Sequence, residues 1–131
     1  MTALTGRVLV TGSRDWSDRD AIARALNIAR AEMSEAGIDA PVLVSGACPT
    51  GADRIAEEVW EGLGLPVERH PADWGRHGRA AGPIRNQRMV DLGADICLAF
   101  PLPGSRGTRH CMNAAKKAGI EDNDWIELFN V

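Results

Sequence analysis

The residues best suited to hold a ligand gather in four short segments. Pro101-Leu102-Pro103-Gly104-Ser105-Arg106-Gly107-Thr108 places two glycines, two hydroxyls and an arginine just ahead of a helical pattern. A helix start offers backbone N–H groups and a partial positive charge, which suit a phosphate. Ser45-Gly46-Ala47-Cys48-Pro49-Thr50-Gly51-Ala52-Asp53 has the G-x-x-x-x-G spacing of a phosphate loop. Ala52-Asp53 stands where an ATPase or GTPase would carry lysine and a metal-binding hydroxyl, which argues against that chemistry. Gly46 and Gly51 could still let N–H groups face an anion, or Asp53 could itself interact with those N–H groups. In Thr11-Gly12-Ser13-Arg14-Asp15-Trp16, Gly12 permits close backbone approach, and Ser13 and Arg14 can hydrogen-bond a phosphate or carboxylate. The segment is not G-x-G-x-x-G, so the dinucleotide signature is missing. In Arg85-Asn86-Gln87-Arg88-Met89, two arginines three residues apart share a helix face, and arginine suits forked recognition of phosphate. For Arg88 alone a solvated face is the simpler reading.

These segments need a scaffold, and the apolar pattern supplies one. Arg7–Thr11, Val42–Ser45, Val67–His70, Asp95–Phe100 and Trp125–Phe129 read as strands bounded by turn residues. Between them lie segments of helical period. One is capped by Ser17, carries Ile22, Ala25, Leu26, Ala29 and Met33 on one stripe, and ends near Gly37. A second runs from Ala52 to Gly62 and is expected to bury Ile55, Ala56, Val59 and Leu63. A polar connection over 71–83 leads to a helix from Pro83, and the last helix covers Thr108–Ala118. Alternating strands and helices predict an α/β fold with a mainly parallel five-stranded sheet, as one domain over residues 1–131. In such sheets ligands bind beyond the carboxyl ends of the strands, where the first three segments fall.

Composition narrows the classes further. With 44% hydrophobic and 25% charged residues in 131, the chain reads as a globular domain rather than a disordered or repetitive one. No apolar run approaches the roughly 20 residues that span a bilayer, and the N-terminus lacks a secretory h-region. Cys48, Cys97 and Cys111 make an odd set without C-x-x-C, so a reducing cytoplasm is the expected compartment. Cys97 reads as core, while Cys48 and Cys111 lie in or beside the site segments. The net charge of −3 conceals +4 over residues 69–88, +4 over 104–119 and −11 elsewhere. Two basic segments on an acidic body suit a small anion better than a DNA surface. His70, Asp73 and His77 have ligand-like spacing, but Pro71 and Gly75 interrupt any helix, and no metal site is expected.

Taken together, TGSRDW (11–16), SGACPTGAD (45–53), PADWGRHGRAAGPIRNQRM (71–89) and ADICLAFPLPGSRGT (94–108) resemble the SLOG superfamily. Its relatives include DprA and the LOG phosphoribohydrolases, and the likeness is greatest to small stand-alone YspA/YpsA-like members. The resemblance implies a three-layer Rossmann-like fold of strand order 3-2-1-4-5, with Gly12–Trp16 and Pro101–Thr108 on opposite sides of one crevice. It also implies a nucleotide or nucleotide-derived ligand. LOG enzymes use an arginine in R-K-x-x-M and a glutamate in P-G-G-x-G-T-x-E. The first is similar to the segment at Arg85, whereas His110 occupies the glutamate position of the second. A histidine can move a proton but cannot supply the negative charge that steadies a cation-like sugar. Asp53, Asp73 and Asp15 are the candidate substitutes.

The preferred expectation is therefore binding or sensing of a nucleotide-derived phosphate ligand, such as an ADP-ribose/NAD-like molecule or a nucleoside monophosphate. Gly12, Ser13, Arg14, Gly104, Ser105, Arg106, Gly107 and Thr108 would hold phosphate, with Arg85 and Asn86 beside them. Trp16 or Trp74 would stack on a base or cap the pocket. An N-glycosidase using Arg85 and His110 is the alternative, and DprA-like nucleic-acid binding ranks third. No cofactor is required, although a phosphate ligand could bring magnesium. The LOG resemblance implies a homodimer.

Overall fold

In β1 (Arg7–Gly12), consecutive residues Val8, Leu9 and Val10 are all fully buried, with Leu9 in a different apolar cluster from its neighbours. Successive side chains leave a strand on opposite faces, so burial of all three requires cover on both. A computed structural model describing residues 4–124 shows that cover. After β1 come α1 (Arg19–Glu35), β2 (Val42–Ser45), α2 (Ala52–Gly62), β3 (Val67–Arg69) and α3 (Trp74–His77). A 3₁₀ turn (Gly78–Ala80), α4 (Ala81–Asp91), β4 (Ile96–Phe100), α5 (Arg106–Lys117) and β5 (Glu121–Asp124) complete the order.

The chain is an α/β protein built on a parallel sheet. Its four strands β3-β2-β1-β4 carry the described core, and the backbone of β5 pairs alongside β4 from Ile96↔Glu121 to Ala99↔Asp124. One face packs Val8, Val10, Leu98 and Phe100 against Ile22 and Leu26 of α1 and Trp60 of α2. The other packs Leu9, Val44 and Cys97 against Met89 and Val90 of α4 and Cys111 and Ala115 of α5. No helix among the described residues is long and apolar enough to cross a membrane.

Polar staples fix the edge opposite the strand carboxyl ends. Arg7 reaches across the sheet to grip both oxygens of Glu68 on β3, at 2.7 and 2.6 Å, and its Nε donates to Gly93 O at 2.8 Å. Asp95 accepts the N–H groups of Thr5 and Gly6 at 2.7 and 2.8 Å. Strand β4 begins at Ile96, one residue after Asp95, whose own N–H donates to Arg7 O at 2.9 Å.

Several boundaries differ from expectation for local physical reasons. Asp18, not Ser17, caps α1 by accepting Ala21 N at 3.1 Å, because buried Trp16 donates its Nε1 to Asp18 O and delays the helix start. On α2, Ala56 is buried and Ile55 and Val59 pack partly buried against the core as expected, but Leu63 is exposed, and Ala52, Asp53, Glu57 and Trp60 join the inward face. Trp60 decides this rotation, being fully buried and donating its Nε1 to Pro41 O at 3.1 Å. The 71–83 connection contains α3, capped by Asp73 through Arg76 N, and α4 starts at Ala81 with Pro83 in its first turn. Strand β3 ends at Arg69, and α5 runs from Arg106 rather than Thr108. The strand expected at Trp125–Phe129 lies outside the described residues.

Candidate functional site

The chain leaves β1 toward β2 on one side of the sheet and returns through β4 on the other, so a crevice opens where β1 and β4 end. Gly12 and Phe100 are register partners there, and Ser13 N donates to Phe100 O at 3.0 Å. A cleft of about 320 Å³ lies over this point. Its walls come from the loops after β1, β2 and β4 and from the first turns of α4 and α5.

The start of α5 is left open on the cleft. Ser105 occupies the cap position without a side-chain cap bond, because its Oγ accepts Leu102 N at 2.9 Å. Arg106 N donates to Gly104 O and Arg109 N to Ser105 O, at 2.9 and 3.1 Å. Gly107 N and Thr108 N have no hydrogen-bond acceptor among the described residues, and both residues line the cleft. The first turn also carries no acid. Two unsatisfied donors at the positive end of a helix of this length form an anion-binding geometry.

Arg85 enters from α4 and is held by backbone and by its neighbour. Its NH1 donates to Gly46 O and, at 3.4 Å, to His70 O, while its Nε donates to Asn86 Oδ1 at 2.8 Å. Asn86 is buried, and its Nδ2 donates to Gly107 O at 3.1 Å and lies 3.4 Å from His110 Nδ1. A Cβ on residue 46 would stand 2.7 Å from Arg85 NH1, so glycine there makes room for the guanidinium.

Asp53 is the most secluded acid of the cleft, with 4% of its surface exposed. Its Oδ2 accepts Cys48 N at 3.2 Å, and the Cys48 thiol is a second partner. Burial pushes the Asp53 carboxyl above its ordinary range, against the opposing pull of the Cys48 bonds and the Arg85 charge. Burial, then the nearby Asp53 charge, pushes the Cys48 thiol up as well, so it is not an activated nucleophile.

The structure brings Gly12, Ser13, Arg14, Gly46, Asp53, Trp74, Arg85, Asn86, Gly104, Ser105, Gly107 and Thr108 to one cleft. Arg106, His110, Trp16 and Gly51 do not line it. Trp16 is buried and packs edge-on against Phe100, with ring centroids 5.3 Å apart. Trp74 is half exposed at the rim, with the Arg14 guanidinium 5.6 Å from its ring centroid. Gly51, at φ +76°, serves loop packing, since a Cβ would fall 2.3 Å from Ser13 O. Gly12 does likewise: its Cβ would meet Ala52 Cβ at 2.4 Å. The need for glycine at position 12 thus comes from α2, not from a ligand's approach.

Of the three acids considered as substitutes, Asp15 and Asp53 line the cleft, whereas Asp73 lines a neighbouring cavity of about 280 Å³ with His70, His77 and Arg88. Arg85 borders both cavities. Cys48, from the second segment, lines the cleft, as do Val10, Met89, Gly82 and Pro83, to which the sequence assigns no ligand role. Proline in a helical first turn was a signal for the last, but nothing local marks which side of that turn faces a cleft. Among the described residues no group of three or more His, Cys, Asp and Glu side chains could hold a metal ion.

Comparison with known proteins adds two matches. Residues 6–77 match the family described as YspA, cpYpsA-related SLOG, which takes in β1 through α3. The chain is also similar to the Gene 61 protein of Mycobacterium phage D29, at 49% identity over 119 residues, covering 87% of this chain and 91% of that protein. No solved structure matches.

Proposed function

The chain belongs to the YspA, cpYpsA-related SLOG family, and from that premise we propose that its cleft binds a nucleotide or nucleotide-derived phosphate ligand. Family membership supports a nucleotide-related role. The observation that carries the reading is the open start of α5, where Gly107 and Thr108 line the cleft and their N–H groups have no partners among the described residues. Arg14 and Arg85 add positive charge along the same walls. Trp74, half exposed at the rim, offers an aromatic face of the size of a nucleobase. An ADP-ribose/NAD-like molecule or a nucleoside monophosphate has the required pairing of phosphate with a planar ring.

Binding is favoured over glycoside cleavage by the position of His110. It stands outside the cleft lining, and Asn86 lies between it and Arg85. The N-glycosidase reading therefore has its arginine at the cleft but no acid–base partner at the position the LOG likeness names.

The test is a proton NMR spectrum of AMP, GMP, NAD and ADP-ribose, mixed, with and without protein. Selective broadening of one ligand, without new signals over hours, is the expected result. Unchanged linewidths for all four would sink the proposal, and free base or sugar phosphate would replace it with the hydrolase reading.

A further inference from the structure

We propose that Asp53 reads the bound anion through a carboxyl proton, donating a hydrogen bond to an anion oxygen so that the cleft takes up the anion together with one proton. This deepens the phosphate-binding reading and rests on it. The argument begins with position. Asp53 lies in the first turn of α2, is 4% exposed, and that sliver of surface is on the cleft. Its hydrogen-bond partners among the described residues are the N–H and thiol of Cys48. A carboxylate has about four acceptor sites, so Cys48 leaves capacity unused in a place with little access to water.

The charged and titratable surroundings decide what that capacity is for. From α4 comes Arg85, whose NH1 goes to Gly46 O and His70 O; among the described residues no basic nitrogen forms an ion pair with Asp53. From the loop after β2 comes Cys48, and from α5 comes Cys111, which feels the Asp53 charge. Arg14, on the loop after β1, acts on Cys48. One turn along α2 lies Glu57, a second acid, whose carboxylate is occupied by Ser45 Oγ and Arg69 Nε at 2.6 and 2.9 Å. An ionised Asp53 would face an incoming anion with like charge across a poorly solvated gap. A protonated one offers an O–H donor, which adds to the N–H donors of Gly107 and Thr108 on the same cleft. Burial, which raises the carboxyl above its ordinary range, favours that form. The step is proton uptake from solvent on binding, and no covalent bond is made or broken.

Sulfate is the probe, because its charge is fixed across the range where phosphate titrates. In calorimetric titrations between about pH 5 and 9, wild-type affinity is expected to fall as pH rises, approaching tenfold per pH unit above the carboxyl's own titration. Asp53→Asn carries an N–H donor at every pH, so it should bind sulfate with a flatter profile, while Asp53→Ala should bind weakly throughout. The histidines are unchanged in both variants and cannot produce the difference. A parallel measurement needs no variant: the carbon-13 shift of the Asp53 carboxyl should titrate at higher pH when sulfate is present. Sulfate binding with the wild-type pH slope kept in Asp53→Asn, or a carboxyl titration indifferent to sulfate, overturns the role of Asp53 and leaves the anion site standing. No binding of sulfate or AMP to the wild-type chain overturns both.

Discussion

Asn86 ties Arg85 to the start of α5. Its Oδ1 accepts Arg85 Nε at 2.8 Å, and its Nδ2 donates to Gly107 O at 3.1 Å, so one buried amide spans α4 and the turn carrying the open N–H groups. The arginine and the helix start are thereby positioned as a unit. Asn86→Ala leaves Arg85 Nε and Gly107 O without this partner in a secluded place, and the expected loss of stability is about 1–3 kcal/mol by urea unfolding. AMP affinity should fall roughly tenfold, about 1.4 kcal/mol, through misplacement of both elements. An Asn86→Ala protein with wild-type stability and affinity would show that the bridge positions nothing.

Two glycines of the cleft should behave in opposite ways. A Cβ at Gly12 would stand 2.4 Å from Ala52 Cβ and 3.0 Å from Phe100 Cβ, so Gly12→Ala should destabilise by about 1–3 kcal/mol. Gly107 has nothing within 4 Å of a built Cβ and lines the cleft. Gly107→Leu should therefore keep the thermal midpoint, or raise it through better helix propensity, while cutting AMP affinity by about tenfold or more. Paired melting curves and AMP titrations check both. Equal loss of stability in the two variants would remove the distinction between a packing glycine and a cleft glycine.

The sheet is legible in the sequence because its signals are local: β2 stands at Val42–Ser45 and α2 at Ala52–Gly62, where apolar runs and glycines put them. The face α2 buries is legible in part: Ala56 is buried and Ile55 and Val59 pack against the core, but Leu63 is exposed, and Asp53 and Glu57 occupy inward positions that an apolar stripe cannot count. Their burial depends on Cys48, Ser45 and Arg69, partners brought by other elements. Trp16 and Trp74 look alike as loop tryptophans. Phe100 makes the first a core residue and Arg14 leaves the second at the rim, and both contacts span many residues of sequence. Gly12 is legible as a required glycine, but the reason lies in Ala52, forty positions away.

Glu68 makes the stability of this fold depend on acid. The forked hydrogen bonds from Arg7, helped by His70 Nε2 at 2.6 Å, hold its carboxyl down from 4.5 to about 2. A carboxyl depressed in the folded state favours folding when ionised. Its contribution is whole above the ordinary value of 4.5 and is lost as pH falls toward about 2. Glu68 is 35% exposed, so solvent screening reduces the contribution well below what the shift alone implies, to about 1 kcal/mol. Glu68→Gln should accordingly be less stable than wild type by about that amount at neutral pH, with the gap closing through the acid window. Urea unfolding of both proteins at stepped pH measures it. A gap that stays constant from neutral pH down through 4.5 toward 2 would mean that Arg7 and Glu68 contribute by shape and hydrogen bonding rather than by charge.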